Sequence, residues 1–272
     1  MIIGALISFI VIRSDAEKIL SLDLCADQWL LWLFPHEEIA AITHLAKDPH
    51  ISYFAERAQG LPTHDGRIET ILQRGATTVI ADSYIDPHKE MMLKKMGIKV
   101  IVLPPLNSID TLAKRIDFLL ELYPKLSTLL IDAKASIHRL KKKFLKAKTK
   151  GNAKRKGIFL TMGGLVAGPK TFLSEWLLTE SIENSHQYRL HNRGWEYTTL
   201  EEIFSLEPQL ILCNSGPKFK ASSHLLSCHH ALVKKKGIPT CDLTPAFTYC
   251  LLPPILSHLS QELARCHEEA HA

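Results

Sequence analysis

Two acidic residues in matching surroundings are the most informative candidates for chemistry in this sequence. Glu69 lies in the segment R-I-E-T-I-L (67–72), and Glu201 lies 132 positions later in T-L-E-E-I-F (199–204). Each acid falls in the pattern of a short amphipathic helix, and a buried-strand pattern begins about ten residues later. Repetition at this separation predicts two similar lobes, each presenting one carboxylate at an equivalent place, although a chance match of two short segments is the alternative.

A glycine-rich loop is the second candidate. Residues 163–171, G-G-L-V-A-G-P-K-T, approach the phosphate-binding pattern G-x-x-x-x-G-K-[ST]. Pro169 stands where that pattern places its lysine, and proline removes a backbone N–H group that a phosphate cradle needs. We therefore interpret the stretch as a turn at the mouth of a cleft, with Gly163 lining that cleft, rather than as a nucleotide site.

Patterns that suggest metal chemistry or catalysis are weak. Residues 267–271, H-E-E-A-H, match the zinc-peptidase helix H-E-x-x-H, but they lie among the last residues of the sequence, where we expect no further chain to supply a third ligand. The other histidines, which include His44, His64 and His88 in the first half and His186, His191 and His224 in the second, show no spacing that fixes a metal site. No nucleophile turn stands out. We predict no catalytic residues, no metal site and no resident cofactor.

Aromatic residues near predicted strand ends are better candidates for ligand contacts. Tyr84 follows the strand pattern at 77–81, Trp195 lies in a predicted loop, and Phe247 and Tyr249 follow the last strand pattern. Large flat side chains at these places suit a bulky, partly apolar ligand. Ordinary loop packing is the alternative interpretation.

The order of elements predicts an α/β protein with two Rossmann-like lobes, mainly parallel sheets and a long spanning helix. Strand and helix patterns alternate up to Pro105, and a helical tract follows that Pro124 must break. An apolar stripe then continues for about 25 residues, or roughly 37 Å of helix. The predicted divisions are a signal segment (1–16), an N-terminal lobe (17–108), a linking helix (109–150) and a C-terminal lobe (151–272).

Composition and charge limit the partners. With 46% hydrophobic and 22% charged residues in a chain of 272, the protein is globular, and its net charge is only +5. Ten Lys or Arg between His138 and Lys156 are interpreted as the solvated end of the long helix, so we predict no nucleic-acid partner.

The apolar stretch 2–12 is too short to span a bilayer and resembles the core of a signal peptide, which predicts export to the periplasm; a buried first strand is the alternative.

The six cysteines contain no C-x-x-C pair. After export some of the five in the second half are expected to form disulfides, with connectivity left open. Cys25 stands alone in the first half and is expected to be unpaired.

The chain resembles the helical-backbone periplasmic binding proteins of ABC importers, which capture cobalamin, iron–siderophore complexes or haem. The resemblance rests on the order and spacing of I-L-S-L-D-L-C-A-D-Q (19–28), I-E-T-I-L (68–72), A-G-P-K-T-F-L (167–173) and L-E-E-I (200–203). It extends over nearly the whole chain from about Lys18. Relatives usually carry a Gly-Gly-x-Asn turn after the helix that contains Trp176, whereas this chain has E-S-I-E-N (180–184) there.

The resemblance implies a monomeric, non-enzymatic receptor for a small-molecule metal chelate, with a corrinoid as the first choice and an iron–siderophore complex or haem as alternatives. Cys25, Tyr84, Gly163, Trp195 and Tyr249 are the expected ligand contacts. Glu69 and Glu201 are expected to dock into arginines of the permease dimer, with Glu202 as a substitute for Glu201 and favourable helix-dipole placement as the competing explanation. A free metal-ion receptor and a chelatase-type enzyme are the remaining alternatives.

Overall fold

The structure is a computed structural model that describes residues 17–150, 155–161, 164–188, 194–214 and 230–269. The predicted signal segment, Gly163, His191 and His224 lie outside the described residues. Within them no helix combines the length and the apolar composition that crossing a membrane requires.

The N-terminal lobe is built on a five-stranded sheet in which every strand pair of the described residues is parallel. Most of these strands are buried throughout, which explains why their sequences are continuous apolar runs rather than alternating patterns. In the order β3-β2-β1-β4-β5, the strands are β1 (Ile19–Ser21), β2 (Ile39–Thr43), β3 (Thr63–His64), β4 (Thr78–Ala81) and β5 (Lys99–Val102).

Helices connect these strands and begin at identifiable caps. The carboxylate of Asp23 caps the first helix by accepting from Ala26 N at 2.8 Å. Asp86 caps the fourth helix, whose first residue is Pro87. The four helices of this lobe are α1 (Leu24–Leu33), α2 (Ala55–Ala58), α3 (Ile68–Gln73) and α4 (Pro87–Lys95).

Two long helices join the lobes, as the sequence predicts. α5 (Ile109–Leu122) ends just before Pro124, and α6 (Ser127–Lys150) continues for 24 residues, about 36 Å. Leu130, Ala133 and Ile137 bury one stripe of α6, while several lysines on its other faces are exposed. The basic run is therefore largely the solvated face of a helix, with Lys141 and Lys143 paired to Asp110 and Glu180.

The C-terminal lobe contains a mixed sheet. Its strands are β6 (Arg155–Leu160), β7 (Leu165–Ala167), β8 (Ile182–Asn184), β9 (Trp195–Tyr197), β10 (Leu210–Cys213) and β11 (Thr240–Asp242). The order is β11-β10-β6-β7-β9, with β8 beside β6, and the pairs β6–β7 and β7–β9 are antiparallel. Its helices are α7 (Phe172–Thr179), α8 (Leu200–Ser205), α9 (Ala231–Lys235), α10 (Pro245–Thr248) and α11 (Leu256–Glu269).

This sheet corrects two predictions. Part of the glycine-rich stretch is strand β7 rather than a turn, because Val166 pairs with Leu160 across the antiparallel β6–β7 hairpin. Trp195 opens strand β9 rather than lying in a loop, and it pairs with Ala167. Both strands have three residues, too few for a period-2 pattern to reveal them.

The acidic repeat is reproduced by the fold at a constant offset of 132 positions. Helices α3 and α8 have the same bounds after this shift, and so do strands β4 and β10. Each of these strands lies between two parallel neighbours, β1 and β5 in one lobe and β6 and β11 in the other. The α/β class with two similar lobes and a long joining helix is confirmed.

The described cysteines are disulfide-bonded. Cys25 pairs with Cys250 and Cys241 pairs with Cys266, and Cys213 is also disulfide-bonded. The prediction that Cys25 is unpaired is therefore wrong. The two cysteines are 225 residues apart in the sequence, and only the fold brings the start of α1 beside the end of α10.

Candidate functional site

A cavity of about 980 Å³ lies between the two lobes. This volume is at the upper end of the range for small-molecule sites. The N-terminal lobe and α5 contribute Leu22, Asp23, Leu24, Cys25, Trp29, Ala81, Asp82, Tyr84, Ile85, Asp86, Lys89, Leu106, Asn107 and Arg115. The C-terminal lobe contributes Lys170, Thr171, Phe172, Leu173, Gly194, Trp195, Thr248, Tyr249, Cys250 and Leu251.

The N-terminal wall is formed where strands β1 and β4 end, the position at which open parallel sheets bind ligands. Asp82 directly follows β4 and forms a two-pronged ion pair with Arg115 of α5, at 3.2 Å from Nη1 and 3.1 Å from Nη2. Arg115 is 1% exposed; its Nε donates to Pro104 O at 2.8 Å, and its guanidinium lies 5.7 Å from the ring centroid of Trp29. These contacts hold Asp82 and Arg115 in place, and the two side chains form the polar floor of the cavity.

Asp23 links this floor to helix α1. Its Oδ2 accepts from the backbone N–H of Asp82 at 2.7 Å, while Oδ1 caps the helix through Ala26. Burial raises the pKa of the Asp23 carboxyl above its ordinary value, and hydrogen bonds from the backbone N–H groups of Asp82, Ala26 and Cys25 oppose that rise. The same carboxylate therefore fixes the start of α1 relative to the end of β4.

Behind this wall lies a second buried carboxyl group. Asp27 accepts from the hydroxyls of Ser21 and Thr43 and from the backbone N–H of Thr43 at 3.0 Å. Burial raises the pKa of Asp27 to about 7 despite these donors, and the charge of Asp23 adds to the rise. Asp27 does not line the cavity, so we assign it to the support of the wall.

The C-terminal wall is built differently, from the start of α7 and from strand β9. Thr171 caps α7 by accepting from Ser174 N at 3.2 Å, and its hydroxyl donates to Gly168 O at 2.8 Å. Lys170 stands exposed beside it. Trp195 projects from β9 with 45% of its surface exposed and meets Phe159 edge to face at 6.1 Å between centroids.

Four of the five predicted ligand contacts lie together in this cavity: Cys25, Tyr84, Trp195 and Tyr249. Tyr84 is 93% exposed and Tyr249 45%, so both rings are available to a ligand, and partial burial raises the pKa of the Tyr249 phenol. Gly163, the fifth, lies outside the described residues.

The sequence interpretation missed the polar lining. Asp82 could have been found, since it directly follows a recognised buried strand and thus lies at a carboxyl end. Arg115 could not, because an arginine inside an amphipathic helix is normally solvent-exposed and nothing in its spacing marks it as buried. Lys170 was noticed only as part of the glycine-rich loop.

One cluster among the described residues has metal-binding geometry, formed by Asp23, Cys25 and Asp82 with potential ligand atoms within 4.8 Å of one another. Cys25 is in a disulfide and offers no thiolate, and both carboxylates already accept hydrogen bonds from protein groups. Within the described lining there is no histidine. His64 contacts Ser21 O at 2.6 Å, and His186 contacts Glu196 at 3.2 Å, so each already has a protein partner.

The two predicted docking acids occupy equivalent places in the lobes. Glu69 and Glu201 each lie in the first turn of their helix, α3 and α8, and both are exposed. The carboxylate of Glu202 accepts from Thr199 N at 2.9 Å in a capping box. Of the two neighbouring acids, Glu201 therefore has the carboxylate that the cap does not use.

No family model matches the chain, and no curated protein matches its sequence. Solved structures do resemble it, and they show that the chain has the fold of the helical-backbone periplasmic binding proteins, as the sequence predicts. The vitamin B12 binding protein BtuF of Vibrio cholerae is 15% identical with a TM-score of 0.61, covering 93% of this chain and 98% of that chain.

Two further structures extend the comparison to other chelates. The periplasmic heme-binding protein RhuT from Roseiflexus sp. RS-1 is 18% identical with a TM-score of 0.67, covering 92% of this chain and 99% of that chain. FhuD2 from Staphylococcus aureus with bound ferrioxamine B is 14% identical with a TM-score of 0.67, covering 94% and 100%. At these identities the likeness establishes the fold alone.

Proposed function

We propose that the protein is a non-enzymatic receptor that captures a metal chelate between its lobes and delivers it to an ABC importer. The observation that carries the proposal is the cavity between the lobes, to which both lobes contribute exposed aromatic side chains. The solved structures of similar fold are described as binders of vitamin B12, heme and ferrioxamine B, and this supports a chelate as the ligand class.

Within that class we propose a corrinoid. A corrinoid brings its metal already enclosed in a macrocycle, so the site needs flat apolar contacts and hydrogen-bonding groups rather than a metal ligand. Tyr84, Trp195 and Tyr249 offer the apolar contacts, and Asn107 and Lys170, which are both exposed, offer the hydrogen-bonding groups. Haem uses a protein axial ligand, and the described lining contains no histidine, one of the residues that hold haem iron. An iron–siderophore complex and haem are the alternatives that the experiment below separates.

Export to the periplasm is part of the proposal and rests on cysteine chemistry. All five described cysteines are disulfide-bonded, a pattern that persists in oxidising compartments and is rare in the cytosol. We further propose that a monomer meets the twofold permease through Glu69 and Glu201, because a receptor with two similar lobes can present matched carboxylates to matched arginines.

Ligand titration tests the proposal. Cyanocobalamin, haem and ferrioxamine B are added separately to the purified protein while tryptophan fluorescence is followed. Binding with a Kd below about 10 μM is expected for one of them, since such capture needs roughly 7 kcal/mol. Trp195→Phe should remove much of the signal change, because Trp195 lines the cavity, whereas Trp176→Phe should preserve it because Trp176 is in the core.

Failure of all three chelates to bind would overturn the receptor proposal. Metal analysis of the purified protein would reveal a free-ion receptor instead. Turnover in an assay of metal insertion into a tetrapyrrole would identify a chelatase, which would need a titratable base facing the cavity.

A further inference from the structure

The Cys25–Cys250 disulfide is the one described disulfide that joins the two lobes. Cys25 is the second residue of α1, the helix that follows β1, and Cys250 follows α10 in the C-terminal lobe. Both residues line the cavity. We propose that this disulfide is a clamp that fixes the spacing of the two cavity walls and thereby sets the affinity for the ligand. The inference rests on the proposed function and assigns a positioning role in it.

The clamp acts on residues that face the ligand. Tyr249 directly precedes Cys250, and its carbonyl oxygen lies 3.6 Å from the sulfur of Cys25. On the other side, Asp23 caps the helix that carries Cys25 and also binds the backbone of Asp82. A displacement of Cys250 would therefore move Tyr249 relative to the polar floor formed by Asp82 and Arg115.

Other contacts join the lobes without crossing the cavity. The hydroxyl of Tyr53 lies 3.0 Å from Nε2 of His258, and the rings of Tyr53 and Phe247 meet at 5.8 Å between centroids. At the first residue of α5, Ile109 N donates to the carboxylate of Glu175 in α7 at 2.7 Å. These contacts keep the lobes associated when the disulfide is absent, so its removal should loosen the cavity rather than unfold the chain.

The expected consequence is a change in affinity. A site whose walls are held at the bound spacing avoids the ordering cost of closing on the ligand. Loss of the clamp should therefore raise Kd about tenfold, and faster dissociation should account for most of this change.

The chain supplies a matched control. Cys241 and Cys266 form a disulfide within the C-terminal lobe, between β11 and α11, and neither residue lines the cavity. The double variants Cys25→Ser/Cys250→Ser and Cys241→Ser/Cys266→Ser each lose one disulfide, but only the first loses the link between lobes.

Both double variants and the wild type are compared without reductant. Kd and dissociation rate are measured for cyanocobalamin, haem and ferrioxamine B, and backbone hydrogen exchange is measured without ligand. We expect about tenfold weaker binding and faster exchange at 23–26 and 245–251 in the Cys25/Cys250 variant. The control variant should stay within twofold in Kd and keep the exchange at 23–26 unchanged.

Equal binding by all three proteins, or equal weakening in both variants, would overturn the clamp. If the wild type binds none of the chelates, the proposed function fails, while exchange in the ligand-free proteins still decides whether the walls are clamped. If the serine pair does not fold, Cys25→Ala/Cys250→Ala is used, and failure of that variant to fold would also overturn the inference by showing a purely structural disulfide.

Discussion

The two lobes share one half of their sheets and differ in the other. Strands β1, β4 and β5 correspond to β6, β10 and β11, with parallel pairing in both lobes. Beyond this shared half, the N-terminal lobe adds the parallel strands β2 and β3, whereas the C-terminal lobe adds the antiparallel strands β7 and β9. The shared half carries the exposed acid in each lobe, and in the N-terminal lobe the ends of its strands also line the cavity, whereas in the C-terminal lobe the added strand β9 contributes Trp195 to the lining.

The difference gives the cavity two unlike walls. The N-terminal wall consists of strand ends whose polar side chains bond to one another, with Arg115 buried against Asp82. The C-terminal wall presents Trp195 from a strand and Lys170 from a helix start, both exposed. Both walls present an exposed aromatic ring, Tyr84 on the N-terminal side and Trp195 on the C-terminal side, but the buried Asp82–Arg115 ion pair lies in the N-terminal wall.

The sharpest test of the N-terminal wall is Arg115→Leu. Removal of the guanidinium leaves Asp82 without its counter-charge and Pro104 O without a donor, so we expect a loss of about 3–5 kcal/mol in the free energy of unfolding. Urea denaturation measures this loss. Lys134→Ala is the control, because Lys134 and Asp117 form an exposed pair worth under about 1 kcal/mol. Similar small losses in both variants would mean that the wall does not depend on this ion pair.

The second test uses pH and concerns Asp27. Because the folded protein raises the pKa of Asp27 from 3.8 to about 7, the unfolded chain ionises this carboxyl first. Its effect on stability is therefore most favourable below about pH 4 and declines as pH rises to about 7, by up to about 4 kcal/mol. Asp27→Asn should lack this decline.

The comparison of wild type with Asp27→Asn removes the contribution of His64, whose pKa is also shifted and which is present in both proteins, and it reports Asp27 together with its repulsion from Asp23. Denaturation at several pH values from 4 to 8 provides the measurement. A constant difference across that range would show that Asp27 ionises normally in the folded wall.

The strands of the two sheets, Cys25 and Arg115 show how much of the structure the sequence could predict. Apolar runs predicted strands such as β4 and β10, because a fully buried strand must be apolar throughout. The antiparallel strands β7 and β9 were not predicted because three residues are too few to show a period-2 pattern; β7 forms in a hairpin with β6, and β9 forms by pairing with β7. Cys25 was expected to be unpaired because its partner, Cys250, is near only in the folded chain. Tyr84 and Tyr249 line the cavity as expected from their places after predicted strands, and their role as ligand contacts stays a prediction. The burial of Arg115 could not be predicted, because that requires knowledge of which face of α5 packs inward.

A third test compares Glu69 and Glu201, the exposed acids of the two lobes, in their contribution to permease binding, and it rests on the proposed docking. Glu69→Lys and Glu201→Lys should each weaken binding to the permease at least tenfold, about 1.4 kcal/mol, and by similar amounts. Affinity of receptor for permease in detergent is the measurement, and Glu121→Lys in α5 is an exposed acidic control. Chelate affinity should not change, because neither acid lines the cavity. A loss confined to one acid would break the equivalence of the lobes.

The prediction with the smallest expected effect compares the backbone conformation at the ends of the equivalent helices α3 and α8. Gly75 follows α3 with φ 68°, and Glu207, at the same place after α8, has φ 48°. Their N–H groups donate to Leu72 O at 2.9 Å and Phe204 O at 3.1 Å, again 132 positions apart. The C-terminal lobe thus places a side chain in a left-handed conformation that favours glycine.

Glu207→Gly should therefore raise the free energy of unfolding by about 0.5–1 kcal/mol, and Gly75→Ala should lower it by about 1 kcal/mol. A Cβ at Gly75 would meet no heavy atom within 4 Å, so the cost there is conformational rather than steric. Glu207→Ala is the control: it removes the carboxylate but keeps a Cβ, and urea denaturation should show little change. If Glu207→Ala stabilised the protein as much as Glu207→Gly, the carboxylate rather than the backbone would be the cause, and the two helix ends would no longer be equivalent in their energetics.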